Sequence, residues 1–81
     1  MRLDKFLKVS RIIKRRTIAN QVCDSKKVIV NGNVAKASYE VKIGDVIEIL
    51  IGEKHTKFKV TNLNEHTSKA SALNNYTIIE Q

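Results

Sequence analysis

Three consecutive cations, Lys14, Arg15 and Arg16, stand immediately before a stretch with helical spacing. Helix energetics disfavour that placement. The first turn of a helix carries partial positive charge and prefers acids nearby, by roughly 0.3–1 kcal/mol per charge. Clustered cations beside free backbone N–H groups make an anion site, and the planar guanidinium fork can hold a phosphate through two bonds. Arg2, Lys5, Lys8 and Arg11 precede the triplet, and Lys26, Lys27 and Lys36 follow it. Through Lys36 the chain carries ten Lys/Arg against two acids, Asp4 and Asp24, a net +8. From Ala37 to Gln81 five Lys/Arg face six acids, a net −1. The whole formal charge of +7 therefore sits in the first 36 residues. An isolated charge run is commonly a solvated loop. Here further cations lie close enough in sequence to share its face, so these ten residues are the candidate contacts to a polyanion.

The type of polyanion follows from what is scarce. Aromatic residues make up 5% of the chain: Phe6, Tyr39, Phe58 and Tyr76. Proteins that stack single-stranded bases need exposed aromatic rings. Phe6 and Phe58 fall on apolar positions, and Tyr39 and Tyr76 read as ordinary packing at a sheet edge. Structured RNA, gripped through its backbone, fits better than a single strand.

Catalytic chemistry finds no support. His55 and His66 stand apart, with no Cys or His at ligand spacing, so neither a metal nor a cofactor is expected. Cys23 lies on an apolar stripe and reads as a buried structural thiol. There is no glycine-rich nucleotide loop and no nucleophile elbow. The acids of the second half show no convergent pair. A non-enzymatic binding protein is expected.

The elements that must carry the cations can be read from periodicity. Leu3, Phe6 and Leu7 give one apolar face over Arg2 to about Val9, a short helix with Asp4 expected to pair with Lys8. Ile12 and Ile13 should close the core. Thr17 is the expected N-cap of a second helix running to about Ser25. Its pairs Ile18–Val22 and Ala19–Cys23 should form a stripe against the first helix.

Val28-Ile29-Val30 is β-branched, and Asn31-Gly32 is a strong hairpin signal because both residues tolerate φ > 0. Asn33 to Ala37 should return. Gly44-Asp45 marks a turn, and Val46 to Ile51 reads as a central strand. Gly52 to His55 should turn the chain, Lys57 to Val60 should be a half-exposed strand, and Tyr76 to Ile79 a last strand. A short helix is expected around Ser68 to Leu73. The architecture is α+β, two basic helices on a small, mostly antiparallel sheet.

With 81 residues, one domain is expected: a core over 1–51 and C-terminal strands with a short helix over 52–81. The single cysteine excludes an internal disulfide and fits a reducing cytosol. No apolar run is long enough to span a bilayer. The alternating charges at the start argue against a signal peptide. A cytoplasmic monomer without membrane contact is expected.

The segments Arg2-Leu3-Asp4-Lys5-Phe6-Leu7, Lys14-Arg15-Arg16-Thr17, Val28-Ile29-Val30-Asn31-Gly32 and Val41-Lys42-Ile43-Gly44-Asp45 resemble the S-four RNA-binding domain, also called the alpha-L motif. The resemblance covers residues 1 to 51. Ser25-Lys26-Lys27 departs from it, because the family often has a glycine there. The chain looks closest to short stand-alone members that act in bacterial ribosome-associated quality control, and is similar to a small ribosome-binding heat-shock protein. The resemblance implies binding to large ribosomal subunits that hold peptidyl-tRNA, with contacts to ribosomal RNA and the tRNA. It also implies support of the partner RqcH during C-terminal alanine tailing. Arg2 and Arg16 would be the leading RNA contacts.

Two other readings compete. One is recycling of large subunits in the heat-shock manner. The other is DNA binding, since two helices joined by a turn can mimic a helix-turn-helix. Against DNA, the cations crowd the turn, and the second helix offers only Asn20, Gln21 and Asp24 to read bases.

Overall fold

In the computed structural model, residues 1–65, 68 and 71–79 are described. Two helices pack against one side of a five-stranded sheet. Helix α1 spans Leu3–Val9 and α2 spans Arg16–Asp24. The strands are β1 (Val28–Val30), β2 (Asn33–Val34), β3 (Val46–Ile51), β4 (Lys54–Val60) and β5 (Tyr76–Ile78). Their order is β2-β1-β3-β4-β5, and every pairing among them is antiparallel. This is the expected α+β architecture, with β3 in the centre.

Period-two alternation decides which side of the sheet meets the helices. Val28, Val30, Ile47, Ile49, Phe58 and Val60 point inward and are buried, joined by Leu3, Phe6, Leu7, Ile13, Ala19 and Cys23. Tyr76 meets Phe58 edge to face, with ring centroids 5.4 Å apart. The other side of the sheet carries Ile29, Glu48, Lys57 and Lys59 and has no layer over it among the described residues.

Asn31 (φ 51°) and Gly32 (φ 85°) make the expected left-handed hairpin turn. The return strand is only two residues long instead of running to Ala37: the Ala35 N–H still donates to the Val28 carbonyl (3.0 Å), but the chain beyond it departs from β1, and Ala35 and Ala37 are buried in the core. The turn expected over Gly52 to His55 is tighter than predicted, since Lys54 and His55 already pair with Ile51 and Leu50.

The second helix begins two residues before the predicted start, with Arg15 instead of Thr17 at the N-cap position. Extended Arg15 (φ −123°, ψ 134°) precedes it, and no side chain caps it. Thr17 is therefore inside the helix and is not its cap. Of the two apolar pairs expected on α2, Ala19–Cys23 is buried, whereas Ile18 is 43% exposed and Val22 only partly covered. Small side chains line the contact because α1 lies close.

The C-terminal expectation was a helix over Ser68 to Leu73, part of which falls outside the described residues. A 3-10 turn spans Ser71–Asn75. Asn75 is fully buried and donates to the Ser10 hydroxyl (3.1 Å) and the Asn64 carbonyl (3.1 Å). The bond to Ser10 fastens the C-terminal segment to the end of α1, and the bond to Asn64 closes that segment on itself.

Candidate nucleic-acid interface

Asp4 governs the basic face. It lies one position after Leu3 and three before Leu7, on the inward stripe of α1, and its side chain is only 3% exposed. The segment 37–41 fixes this end of the helix: the Leu3 N–H donates to the Tyr39 carbonyl (2.8 Å) and the Asp4 N–H to the Ala37 carbonyl (3.2 Å). The expected Asp4–Lys8 pair does not form. The carboxylate turns inward instead and is reached by Arg2 Nε (3.2 Å), Arg2 Nη2 (3.4 Å), Arg16 Nε (3.4 Å), Asn20 Nδ2 (3.3 Å) and the Lys5 backbone N–H (2.8 Å).

Asp4 thus supplies, from another helix, the acid that the first turn of α2 lacks in its own sequence. Burial alone would raise its pKa. Hydrogen bonds from Asn20, Arg16 and the Lys5 backbone outweigh that and hold it below the ordinary carboxylate value.

The structure brings four of the ten candidate cations together in two overlapping groups. Arg2 and Arg16 meet at Asp4, and each side chain remains 49% exposed. Arg2, Lys26 and Lys36 line one groove between the end of α2 and the segment 34–38, together with Asn20 and Asp24. Arg2 belongs to both groups and joins them.

Lys8, Lys14, Arg15 and Lys27 are exposed and form no ion pair among the described residues. Arg11 is also exposed. Lys5 goes another way: its Nζ lies 2.6 Å from a Glu65 carboxylate oxygen, so it braces the C-terminal segment.

Arg11 and Lys26 occupy equivalent places. Each follows the C-cap of its helix with positive φ, 59° and 61°. Glycine is the usual residue at this left-handed position. At Lys26 the missing glycine of the family pattern has this concrete meaning: lysine adopts the glycine conformation.

Sequence reasoning passed over Asp4 and Asn20 as members of this site. The available signal was an acid at an inward helical position, flanked by Arg2 in sequence. Among the described residues, no group of three or more potential metal-ligating side chains occurs, and no helix is long and apolar enough to cross a membrane.

Fold and basic face together define a small S4-domain protein, and the family model of the S4 domain matches residues 1–47. Over 81 residues, the chain is 51% identical to the RQC P-site tRNA stabilizing factor of Bacillus subtilis (strain 168), covering all of this chain and 94% of that protein. It is 48% identical to the protein of the same name from Streptococcus pneumoniae, again over all of this chain and 92% of that one. Among solved structures, heat shock protein 15 of Vibrio cholerae, described as trimeric, superposes with a TM-score of 0.90 at 29% identity, over 98% of this chain and 81% of that one. The chain belongs to the family of RQC P-site tRNA stabilizing factors.

Proposed function

We propose that this protein is a non-enzymatic RNA-binding factor of ribosome-associated quality control. It binds ribosomal RNA and tRNA on large subunits obstructed by peptidyl-tRNA. There, as a single copy in the cytoplasm, it supports RqcH-dependent alanine tailing of the stalled chain. Support comes from the name shared by its full-length relatives, which describes stabilisation of a P-site tRNA. The observation that carries the reading is the convergence of Arg2 and Arg16 on Asp4, beside a groove that adds Lys26 and Lys36. Two half-exposed guanidinium groups held on one buried acid suit the phosphates of folded RNA.

Arg2, Arg16, Lys26 and Lys36 are the proposed central contacts, with Lys8, Arg11, Lys14, Arg15 and Lys27 as an outer field that steers encounter. Lys5 is assigned to bracing the region 52–81 against the core.

Sucrose-gradient sedimentation of tagged protein from cells tests this. The wild type should travel with free large subunits carrying tRNA, and Arg2→Ala/Arg16→Ala should shift to the top of the gradient. Wild-type protein found only at the top, or an unchanged profile for the variant, would defeat the reading.

The heat-shock type of large-subunit recycling is the second reading, favoured by the TM-score of 0.90 to heat shock protein 15. Sequence weighs against it, because the match to the heat shock protein 15 homolog of Haemophilus influenzae is 34% identical and spans half of that protein. Alanine tails that vanish from stalled chains when the gene is deleted would separate the two.

A further inference from the structure

We infer that Asp4 is a positioning residue for RNA binding: its buried carboxylate holds Arg2 and Arg16 by their Nε edges, so that the remaining Nη donors face a phosphate backbone before RNA arrives. The inference rests on the reading that these two arginines contact RNA.

A guanidinium has five N–H donors in a fixed planar fork. Arg16 commits its Nε to Asp4 Oδ2, and Arg2 commits Nε to Oδ1 and one Nη2 hydrogen to Oδ2. All three bonds are made from the Nε side of the fork. The two side chains are nonetheless 49% exposed, and Arg2 Nη1 and both Arg16 Nη groups are not committed to Asp4. The acid itself is not adjustable. Asn20 Nδ2 and the Lys5 backbone N–H bind it from the protein side, and α1 buries it. Two flexible side chains from elements fourteen residues apart in sequence are thereby set at one spacing on a shared anchor. Arginines ordered in advance lose less freedom when they bind.

The inference predicts a sign opposite to plain electrostatics. Removing a negative charge from a basic face should strengthen its attraction to a polyanion. If Asp4 positions the arginines, Asp4→Asn weakens binding although the net charge rises by one.

The test measures Kd for purified large subunits carrying P-site tRNA, at a temperature where circular dichroism shows each variant fully folded. Asp4→Asn should weaken binding roughly tenfold. In an Arg2→Ala/Arg16→Ala background, read at lower salt where the other cations still bind, the same substitution should cost nothing. Unchanged or tighter binding by Asp4→Asn overturns the inference, as does an equal loss in the double-alanine background, which would mark Asp4 as merely structural.

If Arg2→Ala and Arg16→Ala themselves leave Kd unchanged, the functional reading fails, and the inference with it. Should Asp4→Asn not fold, side-chain relaxation by nuclear magnetic resonance on the wild type decides. Ordered Nε–H groups at Arg2 and Arg16, beside a mobile one at Arg15, support the anchor, whereas equal mobility at all three removes it.

Discussion

The Asn31 side chain joins the hairpin to the start of β3: its amide donates to Asp45 Oδ1 (3.0 Å), and its carbonyl accepts from the Val46 N–H (2.9 Å). Asp45 is 7% exposed and also accepts from Tyr39 (2.9 Å) and the Lys42 N–H (2.9 Å). Asn31 sits at φ 51°, which asparagine tolerates better than most residues. Asn31→Ala should therefore destabilise by about 1–3 kcal/mol, through a strained turn and a buried acid that loses a donor. Urea unfolding at neutral pH checks this. Asn31→Gly loses the same two side-chain hydrogen bonds but should cost less than alanine, because glycine carries no strain at positive φ.

If four to six phosphates are neutralised, RNA affinity should fall with salt at a log–log slope of about −3 to −5. Arg16→Ala should make that slope shallower by about one and weaken binding. The fold should lose no more than about 1 kcal/mol, because the side chain is half exposed and Asp4 keeps Arg2, Asn20 and the Lys5 N–H. A salt titration of RNA binding, paired with a thermal melt, separates the two effects.

Lys26 sets stability against function. Relieving its left-handed strain with Lys26→Gly should stabilise the fold by roughly 0.5–1 kcal/mol. The same change removes a cation from the groove shared with Arg2 and Lys36 and should weaken RNA binding. A higher melting temperature with a higher Kd is the expected pair of readings.

Acid should unfold the protein through its two buried carboxylates. Burial pushes both pKa values up, but the hydrogen bonds to Asp4 and Asp45 more than offset this and leave both below the ordinary 3.8. A depressed pKa adds stability that is fully present above the unfolded value and is lost as pH falls through the folded one. Stability should therefore be level from neutral pH to about 5 and decline from about 4 downward. Asp45→Asn should flatten that decline in urea melts taken between pH 6 and 2.5.

Burial, followed by the charges of Asp4 and Asp24, pushes the Cys23 thiol up to about 11. At pH 8 a thiol reagent should label native protein very slowly and urea-unfolded protein at once, because the thiolate is the reactive form.

The charge asymmetry, the two helices, the Asn31-Gly32 hairpin and the central place of Val46 to Ile51 were already legible in the order of residues. These rest on local rules: a period of 3.6 or 2, turn residues that accept positive φ, and the counting of charges. How the cations divide was set by long-range packing. Lys5 and Arg2 lie three residues apart, yet one reaches Glu65 and the other Asp4. The packing of α1 on α2 put Asp4 beneath Arg16 and Asn20, where a local rule expected Lys8. Asn75 likewise falls between the expected helix and the last strand, and it is the buried peg holding the C-terminal segment to Ser10. The reason is common to all three. A charged or amide side chain carries no periodic signal, and its partner is set by what the folded chain brings within hydrogen-bond reach across long sequence separations.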